Sequence, residues 1–203
     1  MPEIPVPLEV RESVIREVYR QAGDLDWENV NPRSKTRYYS TWVEDPNIGG
    51  QLADYYTAEG MRVWLKDGPL KEYARALEGF GLYAKYASRR LTPANEFISE
   101  LLGERWTIVP GSLAEKPMHC QITDGHQRRY VCWGRPRNFR DLLWAAVNAA
   151  VDEPGRPLIA AYLTDSTSVS PKEKARHERI SKHCGLDLAY VYRRLLDVST
   201  NNP

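Results

Sequence analysis

Basic and aromatic side chains are concentrated in two segments of the chain, residues 33–42 and residues 128–140. Arginine and lysine neutralise phosphates, and aromatic rings stack on exposed bases. Both segments therefore predict contacts with DNA or RNA. The candidate nucleic-acid-binding residues are Arg33, Lys35, Arg37, Tyr38, Trp42, Arg128, Arg129, Arg135, Arg137 and Arg140.

Three of these arginines surround the predicted start of a helix at Asn138. The free N–H groups and the positive dipole at a helix start favour an anion, and guanidinium groups favour the same anion. We therefore expect Arg135, Arg137 and Arg140 to share one exposed surface that binds phosphate.

Two aspartates follow predicted strands: Asp124 lies in a hairpin turn, and Asp165 comes after an apolar strand. Carboxylates at strand ends can hold Mg²⁺, which polarises a phosphodiester and helps to activate a water. They predict a nuclease with Mg²⁺ as its cofactor, although the Glu-x-Lys triplet that usually accompanies them is absent. Aspartates are also common in turns for local hydrogen-bonding reasons alone.

Histidine and cysteine supply the ligand types that zinc prefers. A hairpin would place Cys120, next to His119, near Cys132, but their spacing matches no zinc motif. Both cysteines lie in apolar strands, where a free thiol behaves as a small hydrophobic group. We therefore expect core packing rather than zinc. The odd number of cysteines, three in all, favours a reducing compartment and a cytoplasmic location.

The run Tyr130-Val131-Cys132-Trp133-Gly134, followed by Arg135-Pro136-Arg137-Asn138-Phe139-Arg140, resembles the second motif of the GIY-YIG nucleases. In that family a hairpin strand ends in Tyr-x-Gly and leads into a helix with a catalytic arginine. A later helix supplies a metal-binding glutamate. The resemblance implies a phosphate-activating role for Tyr130, Arg140 and Glu178.

The chain departs from the GIY-YIG pattern at several positions. His119-Cys120 stands in place of the tyrosine of the first motif, and Trp133 is an additional residue inside the second. Leu142 stands about where the arginine of the family is expected. The similarity covers about a third of the chain, and we do not identify the chain as a member.

The elements that must position these residues follow from periodicity and turn signals. Apolar residues every fourth position predict a first helix that Gly23 ends, and strands are predicted at 36–43 and 61–65. Thr92-Pro93 begins a helix that runs to Leu102. The rest predicts strands at 106–109, 118–123, 129–133 and 158–163, and helices from Asn138, from Ser170 to His183 and over 188–196.

These elements predict an α+β fold: one domain over residues 1–203, with a mixed sheet of about four to six short strands covered by amphipathic helices. A division into an N-terminal subdomain (1–104) and a β-β-α-β-α-α subdomain (105–198) is the alternative. The net charge is +1, and no apolar stretch is long enough to span a bilayer. Residues 1–7 contain no basic segment followed by an apolar run, so no signal peptide is expected.

Two functions remain open at this stage. The first is a nucleic-acid-binding protein, extending to a metal-dependent nuclease of the restriction or defence type with Tyr130, Asp124, Asp165 and Glu178 as catalytic residues. The second is a non-enzymatic interaction module, such as an immunity, adaptor or regulatory protein. No phosphate-binding loop, dinucleotide fingerprint or serine-hydrolase motif is present. We expect DNA or RNA as the partner, no membrane, and a homodimer as a further option.

Overall fold

The computed structural model describes residues 5–152, 155–165 and 167–198. Contacts divide the chain into two compact units, Met1–Leu91 with Leu195–Pro203, and Thr92–Arg194. The described residues form eight α-helices, a two-stranded sheet and a five-stranded mixed sheet. The predicted α+β class with a mixed sheet is therefore confirmed. The assignment of all 203 residues to one domain stays a prediction.

The first unit is mainly helical. Its elements, numbered in chain order, are α1 (Leu8–Asp24), α2 (Pro32–Glu44), α3 (Gly49–Leu52), α4 (Ala58–Asp67), α5 (Tyr73–Leu77), β1 (Arg89–Leu91) and β7 (Leu195–Asp197). The indole rings of Trp27 and Trp42 pack at the centre of an aromatic cluster, with ring centroids 5.0 Å apart. The Trp42 indole N–H donates to the side-chain oxygen of Gln21 at 2.7 Å, which ties α2 to α1.

The strands predicted at 36–43 and 61–65 are wrong, because both segments are helical. Asn31 accepts a hydrogen bond from the Ser34 N–H at 3.0 Å, and Pro32 occupies the first turn, so α2 starts with a strong cap. The Thr57 hydroxyl caps α4 in the same way. Aromatic residues favour strands only weakly, and these caps together with tertiary packing outweigh that preference.

The second unit contains the five-stranded sheet and three helices. Its elements are α6 (Ala94–Leu102), β2 (Thr107–Ile108), β3 (Met118–Thr123), β4 (Arg128–Gly134), α7 (Phe139–Asp152), β5 (Leu158–Leu163), α8 (Pro171–His183) and β6 (Asp187–Tyr192). The strand order is β2-β3-β4-β5-β6. The first three strands are antiparallel, and β4, β5 and β6 are parallel.

Helices cover both faces of this sheet. Phe97 of α6 packs against Trp133 of β4 with ring centroids 5.9 Å apart. Successive strand residues point to opposite faces, so Tyr130 and Cys132 face away from α6, and they share a core cluster with Phe139 of α7. The α7 and α8 helices therefore lie together on one face of the sheet, and α6 lies on the other.

The helix predicted over 188–196 is also wrong. Residues Asp187–Tyr192 form β6, which pairs in parallel with the whole of β5, and Leu195–Asp197 form β7, which pairs with β1. The central strand β5 needs hydrogen-bond partners along both of its edges, and β6 supplies the second edge. The predicted β-β-α-β-α-α order therefore ends in strands.

The two ends of the second unit are hydrogen-bonded to each other. The Thr92 N–H donates to the Arg194 carbonyl at 3.0 Å. The guanidinium of Arg193, which is 1% exposed, donates from Nε to the Thr92 carbonyl at 3.0 Å. Its charge lies over the rings of Phe97 and Tyr162, at 4.8 and 5.4 Å from their centroids. Cation–π contact and hydrogen bonding thus satisfy this buried cation.

No helix in the described ranges is long and apolar enough to cross a membrane.

Adjacent leucines on α7 provide a test of the core. Leu142 is fully buried between Cys132, Phe139 and Ile159, whereas Leu143 is only partly buried beside them. We expect Leu142→Ala to lower the free energy of unfolding by about 2–5 kcal/mol, because it removes buried methyl groups and leaves a cavity. Leu143→Ala is the matched control and should cost clearly less. Equal shifts of the urea-unfolding midpoint in the two variants would contradict this packing.

Candidate nucleic-acid interface

The two aspartates predicted as metal ligands lie at opposite ends of the central strands. Asp124 lies in the turn between β3 and β4, next to the end of the sheet where the parallel strands begin. Asp165 follows β5, at the end of the sheet where the parallel strands finish. The six residues of β5 span about 20 Å, so the two carboxylates cannot bind one metal ion.

Each of these aspartates has a local role. The backbone N–H groups of Gln127 and His126 both donate to Asp124 at 3.0 Å, and they lower the pKa of its carboxyl group. Asp165 accepts a hydrogen bond from the Tyr192 hydroxyl. Hydrogen bonds within a turn or to a neighbouring strand therefore explain these positions without a metal.

Tyr130, Arg140 and Glu178 do not share a site either. Tyr130 is 8% exposed and lines a shallow groove with His119 and Trp144. Arg140 lines an adjoining apolar groove, which shares Asp141 and Trp144 with the first, and Glu178 on α8 lines neither. The residues predicted as catalytic are thus dispersed. The described part of the chain contains no group of three or more His, Cys, Asp or Glu side chains that could hold a metal ion.

The second basic segment is divided by the strand that carries it. Arg128 begins β4 and Arg135 follows its end, so about 20 Å separates them. Near the start of β4, Arg129 forms an ion pair with Asp187 and donates from Nε to the Arg156 carbonyl at 2.7 Å. Tyr130 and Trp133 are buried in the core. This segment therefore does not form one continuous binding surface.

The expectation that Arg135, Arg137 and Arg140 share an exposed surface is wrong. Arg135 is 3% exposed, whereas Arg137 and Arg140 face solvent. A 3-10 turn at Pro136–Asn138 redirects the chain between β4 and α7. The residue before this turn is therefore buried in the second unit, and the two arginines after it are exposed.

The first basic segment presents two exposed arginines on α2. Arg33 and Arg37 are four residues apart and lie on the same side of the helix. Lys35 is placed over the ring of Trp27, with Nζ 4.7 Å from the centroid. Tyr38 and Trp42 pack against Trp27 as well, so these aromatic rings contribute to the core of the first unit and are not arranged to stack on bases.

The most basic exposed helix was missed by the predictions from sequence. Helix α8 carries five lysines and arginines against two glutamates. Its buried residues, His177 and Ser181, define the inner side. The opposite side presents exposed residues at intervals of four, three and four, which is helical spacing: Lys172, Arg176, Arg179 and His183. We call this set the outer face of α8.

The cations of α8 are not neutralised by ion pairs. Among the described residues, no salt bridge involves Lys172, Lys174, Arg176, Arg179 or Lys182. Glu173 and Glu178 lie to either side of the outer face. The i, i+4, i+7, i+11 spacing is visible in the sequence and could have identified the face.

His177 holds α8 in its orientation. Its ring stacks on Phe139 of α7 at a centroid distance of 3.9 Å, and its Nδ1 lies 2.7 Å from the Tyr190 hydroxyl on β6. The Ser170 hydroxyl accepts from the Glu173 N–H at 3.2 Å and caps the helix, with Pro171 in its first turn. These contacts bury one side of α8 and leave the outer face in solvent.

The two strand cysteines do not form a pair. Cys120 is opposite Val131 in the hairpin register, and His119 is opposite Cys132. The hairpin does bring the two residues close, as expected, but adjacent strand residues point to opposite faces, so the cysteine side chains lie on different faces of the sheet. Burial raises the pKa of both thiols to about 12.

Thiol reactivity provides a direct test of this arrangement. Cys184 is exposed, whereas Cys120 and Cys132 are buried and protonated at neutral pH. We expect one rapidly reacting thiol per native chain with a chromogenic disulfide reagent, and three after unfolding in denaturant. Cys184→Ser should abolish the rapid phase. Two or three rapidly reacting thiols in the native protein would contradict the burial of the hairpin.

Stability should also depend on the protonation of His177. Burial lowers the pKa of its imidazole below the usual 6.5, and Arg176 lowers it further against an opposing effect of Glu173. The unfolded chain therefore binds the proton first as the pH falls. Stability should be fully present above about pH 6.5 and decline as the pH falls through the folded-state pKa.

The measurement is the urea-unfolding midpoint between about pH 8 and pH 5. His177→Gln should give a weaker dependence on pH than the wild type. His126→Gln is the matched control, because His126 is exposed in the hairpin turn, and it should keep the wild-type dependence. Identical pH profiles for all three proteins would contradict the buried, neutral state of His177.

Comparison of the chain with protein-family models, with curated proteins and with solved structures gives no match. What the protein does must therefore be inferred from its own residues. The dispersal of Asp124, Asp165, Tyr130 and Glu178 argues against a shared catalytic centre. The outer face of α8, in contrast, concentrates positive charges that form no ion pairs among the described residues.

Proposed function

We propose that the protein binds nucleic acid through the outer face of α8. The observation that carries this proposal is the line of exposed cations Lys172, Arg176 and Arg179, extended by His183. A basic stripe along one helix face is the electrostatic footprint of a nucleic-acid-binding surface. The net charge of the chain is only +1, so this charge is local to α8 and does not reflect a generally basic surface.

The orientation of α8 supports binding through this face. His177 and Ser181 are buried on its inner side, so the cations cannot turn inwards to acidic partners without breaking the contacts of His177 with Phe139 and Tyr190. A polyanion is a ligand that neutralises several such cations together. Each contact releases a counterion from the nucleic acid, which makes binding favourable at low salt.

The exposed arginines Arg33 and Arg37 on α2, and Arg137 and Arg140 at the start of α7, remain proposed secondary contacts. The proposal includes no cleavage step, because the candidate catalytic side chains do not converge. One observation favours the alternative of a non-enzymatic protein-interaction module: Trp144 and Val151 on α7 are 67% and 82% exposed. Exposed apolar groups of this kind are typical of protein-binding surfaces.

The test is the double variant Arg176→Gln/Arg179→Gln, measured by fluorescence anisotropy with a labelled 20-base-pair DNA. We expect binding to weaken roughly 10- to 100-fold at about 0.1 M salt, with the slope of log K against log salt reduced by about two. Folding should barely change, because exposed charges contribute little to stability.

The control variant Arg11→Gln/Arg16→Gln makes the same change in net charge at exposed positions on α1, where Arg16 shares a depression with Glu9 and Glu12. It should leave the affinity and the salt slope unchanged. Equal losses in the two variants would show that only the total charge matters. A wild-type protein that binds no DNA or RNA at low salt would overturn the proposal and favour the interaction module.

A further inference from the structure

We infer, on the basis of the proposed function, that the outer face of α8 binds duplex nucleic acid along its phosphate backbone in preference to single strands. The inference depends on three properties of α8: the straight line of its cations, the absence of stacking rings among them, and the absence of an apolar face.

The cations form a straight, rigid line. Lys172 and Arg179 are seven residues apart on one helix, which corresponds to about 10 Å at the helical rise of 1.5 Å per residue. In a duplex, phosphates follow one another about every 3.4 Å of rise along each strand, in a regular array. A rigid line of three permanent charges matches such an array, whereas a flexible single strand must lose conformational freedom to follow it.

The face provides no platform for unpaired bases. Proteins that bind single strands stack successive bases on aromatic side chains, and each stacked base adds to the affinity. Helix α8 contains no Phe, Tyr or Trp, and the only ring on its outer face is His183 at the last position. The nearest tyrosine on β6, Tyr190, has its ring 5.0 Å from Nζ of Lys174 and hydrogen bonds to His177.

An anionic membrane would also attract cations, but α8 lacks the other requirement for it. A helix that lies in the membrane interface buries an apolar face among the lipids. The apolar residues exposed on α8 are Pro171, in its first turn, and Ala175, and Ile180 is partly buried against the core cluster. The charge pattern therefore fits a phosphate backbone and not a lipid surface.

The experiment compares a labelled 20-base-pair DNA duplex, a 20-base-pair RNA duplex and the single DNA strand of the same sequence, at equal phosphate concentration and about 0.1 M salt. We expect at least one duplex to bind roughly tenfold more tightly than the single strand, because the outer face of α8 offers no aromatic side chains on which unpaired bases could stack. Whichever of the two duplexes binds more tightly identifies the preferred nucleic acid as DNA or RNA. Phosphatidylserine vesicles form a fourth arm and should bind more weakly than either duplex.

A gain-of-function variant makes the stacking argument independent of the charge argument. Ala175→Tyr adds an exposed ring beside the outer face. It should raise affinity for the single strand roughly fivefold or more, the amount expected for one stacked base, and leave duplex affinity nearly unchanged. A matched variant, Ala175→Ser, should change neither.

The outcomes separate this inference from the proposed function. If the single strand binds as tightly as both duplexes and Arg176→Gln/Arg179→Gln weakens all of them, the proposed function stands and the preference for duplex is overturned. If vesicles bind more tightly than either duplex, the inference is overturned as well. If no nucleic acid binds at low salt, both fail.

Discussion

Strand β5 is buried along nearly its whole length between two parallel neighbours, and this burial determines where the helices of the second unit lie. Parallel strands can be joined only by crossovers, which place helices on the faces of the sheet. The connections from β4 to β5 and from β5 to β6 are α7 and α8, and the contact between Phe139 and His177 keeps both helices on the same face.

The two crossover helices differ in how they use this position. Helix α7 buries a broad apolar side on the sheet and still exposes Trp144. Helix α8 buries little more than His177 and Ser181, so its position depends on hydrogen bonding and ring stacking as well as on apolar area. A helix held at so few points keeps most of its circumference in water, and this allows one helix to carry five cations.

Much of the second unit could be predicted from the sequence, because its signals are local. Ser170, Pro171 and Glu173 indicated the start of α8, and the apolar run from Leu158 to Leu163 indicated β5 with the bounds that the structure has. The apolar spacing after Leu188 predicts a helix, although this spacing is ambiguous between helix and strand. The segment becomes a strand through pairing with β5, a partner distant in sequence that periodicity does not report.

The candidate site shows the same division between local and distant information. The outer face of α8 is visible in residue spacing alone, although the dense clusters of arginine and aromatic residues are more conspicuous. The burial of Arg135 and the enclosure of Trp42 by Trp27 and Tyr39 depend on tertiary packing. Density of residue types along a chain therefore identified basic segments, but only the fold separates exposed cations from buried ones.

The hydrogen bond between Thr92 and Arg194 has a consequence for the covalent order of the chain. The second unit is inserted into the first, and its two ends lie side by side, tied further by the guanidinium of Arg193 on the Thr92 carbonyl. Neighbouring termini are the condition under which circular permutation and domain insertion are tolerated. The segment 92–194 is therefore built so that its ends can be joined by a short linker and new termini opened in an exposed turn such as the one at Gly125.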